Sequence, residues 1–307
     1  MAWEFAEIPE VVIDHVRTIF AAANDRVSRT IDSHPSIHEE ALDQLLIMEL
    51  TATPPVFFAE QQIGLAIESH WLGGRWMWRR WEIADIAFFV ILRRRGHLQM
   101  RKVVLLQTKR LYSREVSVNE LEPEDYEIGI GRLADRTDPI LPLSKRRQFT
   151  FDGDCVYGAM RAGHHQINAI DSYAEERGIP VYYGLYNPTS LPFSAQYPAL
   201  VGTVATADNL VGCRVLSSDF VHDVIGNLAV GQAPTVNSLL KTLLRSDDAN
   251  AFRGWRLENF VADEVLRCRQ GRLFEDATDP NLRALLYSRS APIMAAITMT
   301  IDLGTEG

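Results

Sequence analysis

The chain has 307 residues, 47% of them hydrophobic and 23% charged. That length supports one large domain or two modest ones, and the composition excludes disordered, collagen-like and disulfide-scaffold classes. The net charge of −9 argues, by itself, against a general nucleic-acid binder.

No apolar run approaches the ~18 residues that a bilayer span needs, so no membrane segment is expected. The opening Met1-Ala2-Trp3-Glu4-Phe5 lacks a basic region followed by an apolar stretch, and no secretory signal is expected either. Cys155, Cys213 and Cys268 are odd in number and far apart, and read as free thiols of a cytoplasmic protein without zinc spacing.

In chain order, Pro9 to Ala23 reads as a helix with Val12, Val16, Ile19 and Phe20 on one side. Ser33-His34-Pro35-Ser36 is a start signal for a second helix, Ile37 to Leu50. Pro54-Pro55 breaks the chain, and Val56 to Glu68 reads as helical, followed by a turn at Leu72-Gly73-Gly74. The period then changes. Ile83 to Leu92 is an apolar run rich in β-formers, Arg93-Arg94-Arg95-Gly96-His97 is a polar turn, and Val103 to Lys109 is a second strand. Together they predict a β-hairpin buried on both faces and covered by helices.

Leu111 to Asp138 is polar and acidic and reads as an irregular excursion or lid. Arg161 to Arg177 reads as a helix stopped by Gly178 and Pro180, and Val181 to Tyr186 as a strand. Ala199 to Thr206 is a candidate fourth strand. The C-terminal third reads as mostly helical (Phe220–Leu228, Val236–Leu244, Leu257–Arg269, Pro280–Leu286), with Pro292 to Ile301 a strand returning to the sheet. The expected class is α/β, with residues 1–190 as a core and 191–307 as an elaborated C-terminal portion packing on it, without a firm boundary.

Charge is unevenly spread. Between Arg75 and Arg110 lie ten basic and two acidic residues, a net +8 that leaves −17 on the remaining 271. A basic stripe on an acidic protein is a candidate polyanion site, or else a solvated hairpin edge protected by charge.

Three polar residues interrupt the apolar strands. Asp85 lies early in the first, and Gln107 and Lys109 end the second on one face, because residues i and i+2 point together. With the turn near Arg95, Asp85 falls opposite residues 105 to 107. Asp85 and the Gln107 oxygen are hard ligands suited to Mg²⁺ or Mn²⁺, the Thr108 carbonyl is a further ligand, and Lys109 is placed to orient or deprotonate an attacking water. The bland alternative is an Asp–Lys salt bridge inside a hairpin.

Asp85 on one strand and Gln107-Thr108-Lys109 on the next resemble the PD-(D/E)xK nuclease superfamily in its Gln-x-Lys form, over roughly residues 30 to 190. The resemblance implies a restriction-endonuclease-like core, a mixed central sheet flanked by helices. It also implies a glutamate on the preceding helix, here Glu39 or Glu40. Both border apolar surface, and Glu40 is the reading favoured by the polar side of Ile37 and Gln44. Gln166 falls within the apolar arc of the following helix and is a candidate to contact phosphate or position a catalytic group. Position 107 departs from the acidic form of the motif and removes one negative charge from the site.

The leading expectation is therefore a Mg²⁺-dependent nuclease acting on DNA, with Glu40, Asp85, Gln107, Lys109 and Gln166 in the site. Glu40, Asp85, Gln107 and Thr108 would hold the metal, and Arg93, Arg94, Arg95, Lys102 and Arg110 would steer the phosphodiester backbone. The resemblance further implies bacterial restriction or anti-phage defence. A partner chain supplying activation or ATP-driven work is in keeping with the lack of a nucleotide-hydrolysis motif, and a homo-oligomer is left open. The competing classes are an inactive nucleic-acid-binding or sensor module and a protein-interaction scaffold. Trp71, Trp76, Trp78 and Trp81 beside arginines suit base stacking or edge packing. His34 and His38 have i, i+4 spacing but lack a third ligand.

Overall fold

A computed structural model describes residues 8–72, 82–94, 96–118, 146–197, 211–240, 254–276, 278–287 and 292–304. Helix α1 spans Glu10–Ser33 and α2 Glu39–Thr51. α1 continues ten residues beyond the expected end because Val27 and Ile31 extend the buried stripe of Val12, Val16, Phe20 and Ala23.

The segment after Pro55 corrects the helical expectation. It forms strands β1 (Val56–Phe58) and β2 (Ile63–Trp71), paired antiparallel. Ile63, Leu65 and Ile67 alternate inward with period 2. Ile63, Ala66 and Ile67 also satisfy helical spacing, which is how a short apolar run misleads.

The hairpin is longer than expected: β3 is Ala84–Arg94 and β4 is His97–Arg110, with a two-residue turn that includes Gly96 at φ 73°. Almost every β3 residue before its tip is buried. On one face Phe88 meets Phe20 of α1, with ring centroids 5.7 Å apart. On the other, Phe89 and Ile91 lie beside Leu285 and Leu286 of a helix Pro280–Tyr287.

The next helix, α3 (His165–Arg177), starts later than Arg161, because the chain turns through Gly163 at φ 80° before the His164 ring accepts a hydrogen bond from Gln166 N. It leads into β7 (Val181–Tyr186), which pairs parallel to β4. The two strands approach closely: a Cβ on Gly184 would lie 2.9 Å from Leu106 Cδ2, so glycine lets β7 seat against the hairpin. The acidic excursion contains a strand the sequence did not betray. β5 (Arg114–Val118) forms a second sheet with β6 (Arg146–Phe151) and β8 (Phe193–Tyr197).

From residue 211 on, the helical expectation holds only in part. β9 (Arg214–Ser217) precedes helix Ser218–Gly226, and a short helix Val236–Leu240 follows. β10 (Trp255–Arg256) leads to an α-turn Leu257–Asn259 and a π-helical turn Phe260–Val265 in place of one long helix. β11 (Arg272–Phe274) pairs with β4, and β12 (Ile293–Leu303) enters the sheet. Among the described residues the central sheet runs β1-β2-β12-β3-β4-β7-β9-β10, mixed in direction and flanked by helices. β12 lies between β2 and β3, antiparallel to the first and parallel to the second, so the C-terminal portion supplies a strand to the middle of the sheet. No helix among the described residues is long and apolar enough to cross a membrane. Gly73, Gly74, Arg95, Trp76, Trp78, Trp81, the candidate strand 199–206 and the rest of the acidic excursion, 119–138, lie outside the described residues.

Candidate functional site at the base of the hairpin

The register Ile86↔Leu106 brings Asp85 opposite Gln107, as the sequence predicts. Asp85 is 6% exposed. Its Oδ2 accepts from Gln107 Nε2 at 2.5 Å, Thr108 N at 2.6 Å and the Thr108 hydroxyl at 2.9 Å. All three bonds fall on this one carboxylate oxygen. Gln166 reaches the same point from α3: its Nε2 donates to the Glu82 carbonyl at 3.0 Å and to Gln107 Oε1 at 3.3 Å.

Lys109 is 4% exposed, and its ammonium donates to the Thr108 carbonyl at 2.6 Å and to Glu39 Oε1 at 3.1 Å. The other Glu39 oxygen accepts from Arg110 N at 2.9 Å. The helix carboxylate that meets the lysine is therefore Glu39, while Glu40 is exposed on the first turn. The cause is non-local. The buried Arg110 guanidinium donates to the carbonyls of Pro35 and Ile37, and so fixes how the chain enters α2 and which first-turn acid faces inward.

Asp43, which the sequence reading did not single out, lies one turn beyond Glu39 and is 2% exposed. It accepts from the Tyr186 hydroxyl at 2.6 Å. The Thr108 hydroxyl lies 3.0 Å from Asp43 Oδ2 and 2.9 Å from Asp85 Oδ2. One hydroxyl proton cannot serve both oxygens, so one of the two carboxyl groups holds a proton of its own. Burial and then the charge of Asp85 push Asp43 well above the usual carboxylate range, which makes Asp43 the neutral partner. A signal for it exists: Asp43 interrupts the inward stripe of Leu42, Leu46, Ile47 and Leu50.

The site is rich in negative charge. Burial first, and the charge of Asp85 besides, raise the carboxyl groups of Glu39, Asp43 and Glu82, with Lys109 the ammonium beside them. Burial raises Glu39, and burial followed by Asp85 raises Glu82 to about 7. Burial alone would lower Lys109, but the charges of Asp85 and Glu39 and the hydrogen bond to Glu39 outweigh it and hold the amine protonated. Lys109 is thus a charge and a donor, not a resting base. A further relay, also missed, lies beside Gln107. The strand partner of Gln107 is Tyr183, whose hydroxyl is 2.9 Å from His222 Nε2, and His222 Nδ1 is 2.6 Å from Asp171.

Among the described residues no three His, Cys, Asp or Glu side chains are grouped to hold a metal ion by themselves. The donors do fit a hard cation that keeps several waters. Asp85 and Glu39 offer carboxylate oxygens, and Glu82 Oε1 has no hydrogen-bond partner among the described residues. The Thr108 carbonyl and Gln107 oxygen, both expected ligands, are engaged by Lys109 and Gln166.

The basic stripe is corrected in part. Lys102 is 3% exposed and donates to the Val265 carbonyl at 2.7 Å, and Arg110 is buried, so neither side chain is on the surface to steer a polyanion. Arg93 and Arg94 are exposed at the hairpin tip, eight and nine residues from Asp85, or about 26 Å and beyond. Arg95 is outside the described residues. Trp71 is 50% exposed on β2, and the His34 ring lies 3.0 Å from Ser33 Oγ. No family model, curated protein or solved structure matches this chain.

Proposed function

We propose that this protein is a Mg²⁺-dependent nuclease that hydrolyses phosphodiester bonds, with DNA the favoured substrate and Mn²⁺ able to replace Mg²⁺. The observation that carries the reading is the meeting of Glu39, Asp85, Gln107 and Lys109 at the base of one hairpin. The order of elements supports it: a helix with the glutamate, a strand with Asp85, a strand with Gln-x-Lys, a crossover through α3, then β7 parallel to β4. A restriction-endonuclease-like core is the finer fold reading that this order favours, and β12 between β2 and β3 is an elaboration on it.

Asp85 and Glu39 would hold the cation, which polarises the phosphate and activates water when bound. Lys109 keeps its proton, orients the attacking water and offsets charge on the phosphate oxygens. Gln107 and Gln166 hold Asp85 in place. Arg93 and Arg94 serve long-range attraction of the polyanion and do not touch the reacting phosphate. Free cysteines at 155, 213 and 268 are in keeping with a cytoplasmic, reducing setting, where restriction or anti-phage defence with an activating or ATP-driven partner is the proposed role.

The test is incubation of plasmid and single-stranded DNA with the protein in Mg²⁺, Mn²⁺ or EDTA. Cleavage in either metal and none in EDTA is expected. A folded protein that cuts neither substrate contradicts the reading.

One observation favours a second reading. Every donor of Gln107, Thr108 and Lys109 described above is already answered inside the protein, as in an inactive relative that only binds nucleic acid. That module would shift DNA in a salt-dependent way without metal-dependent cutting.

A further inference from the structure

One edge of the central sheet is covered only at its end. β1 begins at Val56, opposite Leu65, directly after Pro54-Pro55, and pairs with no more of β2 than Ile63–Leu65. Ala66–Trp71 therefore has β12 on one side and no strand on the other among the described residues. The ladder fixes which backbone groups are left over. Leu72 N donates to the Met294 carbonyl at 2.9 Å, and in antiparallel pairs the residues bonded to one neighbour alternate with those bonded to the other. The even residues of β2 thus aim N–H and C=O at β12. Of the odd ones, Ile63 and Leu65 meet β1, while Ile67, Ser69 and Trp71 aim theirs outward from the open edge.

Such an edge is a template for another strand, and a charge such as Glu68 is the usual guard against one. The neighbours of Glu68 turn that guard into a fit. Ile67, Ser69 and Trp71 share one face of β2 and Glu68 and His70 the other, and all but Ile67 are exposed. A second copy laid antiparallel about a two-fold axis at Ser69 sets Ile67 opposite Trp71 at both ends and Ser69 opposite Ser69. Each of these pairs exchanges two backbone hydrogen bonds. The same register sets Glu68 opposite His70 twice, a carboxylate acceptor against an imidazole donor, and an aliphatic side chain against an indole. With the axis at Glu68, two carboxylates would stand side by side and Trp71 would run into β1. With the axis at His70, Ile67 would lose its place in the pairing.

We propose that the protein forms a symmetric dimer in which the β2 strands of two copies pair edge to edge, centred on Ser69, and join the two central sheets into one. The occupant of the edge is a second copy because the strand is complementary to itself in this register, in backbone groups, in apolar pairs and in charge. The dimer is independent of the nuclease reading, since β2 carries none of the residues of that site.

The experiment is sedimentation of the full chain over a concentration series, with circular dichroism to check folding. The wild type is expected to associate to a dimer. Ser69→Pro removes an outward N–H that β12 does not use, so the chain should stay folded and become monomeric. His70→Glu, on an exposed side chain, sets carboxylates opposite one another twice and should raise the dimer Kd by about tenfold. The double variant Glu68→Lys/His70→Glu restores opposite charges in the same register and should recover the dimer, which a merely damaged fold could not do. A wild type that stays monomeric throughout the series overturns the proposal and leaves the edge to a strand of another protein. A dimer that neither Ser69→Pro nor His70→Glu weakens is built on another surface and overturns it equally.

Discussion

The two ends of the β3–β4 hairpin carry similar residues in opposite circumstances. At the base, Asp85, Gln107, Lys109 and Arg110 are buried: Asp85 is answered by Gln107 and Thr108 of β4, and the other three by partners from α2, α3 or the loop before α2. At the tip, Arg93 and Arg94 are exposed, with Arg93 opposite Asp302 in the register. Charge in water is cheap and weakly coupled, whereas charge in the core must be paired and is costly to leave alone. The same +8 stretch of sequence therefore contains a surface field and a set of internal counter-ions, and only the first can attract a distant polyanion.

That contrast can be tested by substitution, beginning where the effect should be largest. Lys109→Met removes the ammonium from beside Glu39 and Asp85, and should cost about 3–5 kcal/mol in urea denaturation, besides abolishing cleavage. Asp43 sharpens the comparison because it is held neutral. Asp43→Asn keeps an acceptor for Tyr186 and a donor for Thr108 and should be tolerated, while Asp43→Ala strands the Tyr186 hydroxyl and should cost at least about 1–3 kcal/mol in the same measurement. Arg110→Ala frees the Pro35 and Ile37 carbonyls and should cost about 1–3 kcal/mol, with faster amide exchange over the first turn of α2.

A smaller effect is expected in the pH dependence. The Glu82 carboxyl is raised from 4.5 to about 7, so the folded chain holds this proton more tightly than the unfolded chain does. Stability in EDTA should then fall as pH rises through that window, and Glu39 and Asp43, raised likewise, act in the same direction. The thermal midpoint followed from pH 4.5 to 7 checks this, and Glu82→Gln should flatten the slope. At the tip, Arg93→Ala and Arg94→Ala should each change stability by less than about 0.5 kcal/mol. Each should also lower the slope of DNA affinity against salt by about one.

The sequence made the centre of the sheet legible and its edges much less so. β3, β4, β7 and β12 are long apolar runs whose burial on both faces leaves little ambiguity. β2 was misread because Ala66 between Leu65 and Ile67 satisfies both periods, and β5 because half-polar strands of a small sheet resemble an irregular loop. Asp85, Gln107, Lys109 and Gln166 were legible because polar residues inside apolar stripes are conspicuous. Glu39 was not separable from Glu40, since the choice is made by Arg110 gripping carbonyls some seventy residues away in the chain. The depth of Lys102 and Arg110 was equally hidden, because the π-helical turn and the α2 entry that cover them come from distant segments.

The most direct measurement is the rate of Mg²⁺-dependent plasmid cleavage by Asp85→Ala beside wild type. This account predicts that the variant loses cleavage by at least about 10²-fold while remaining folded. Full activity in folded Asp85→Ala would contradict it.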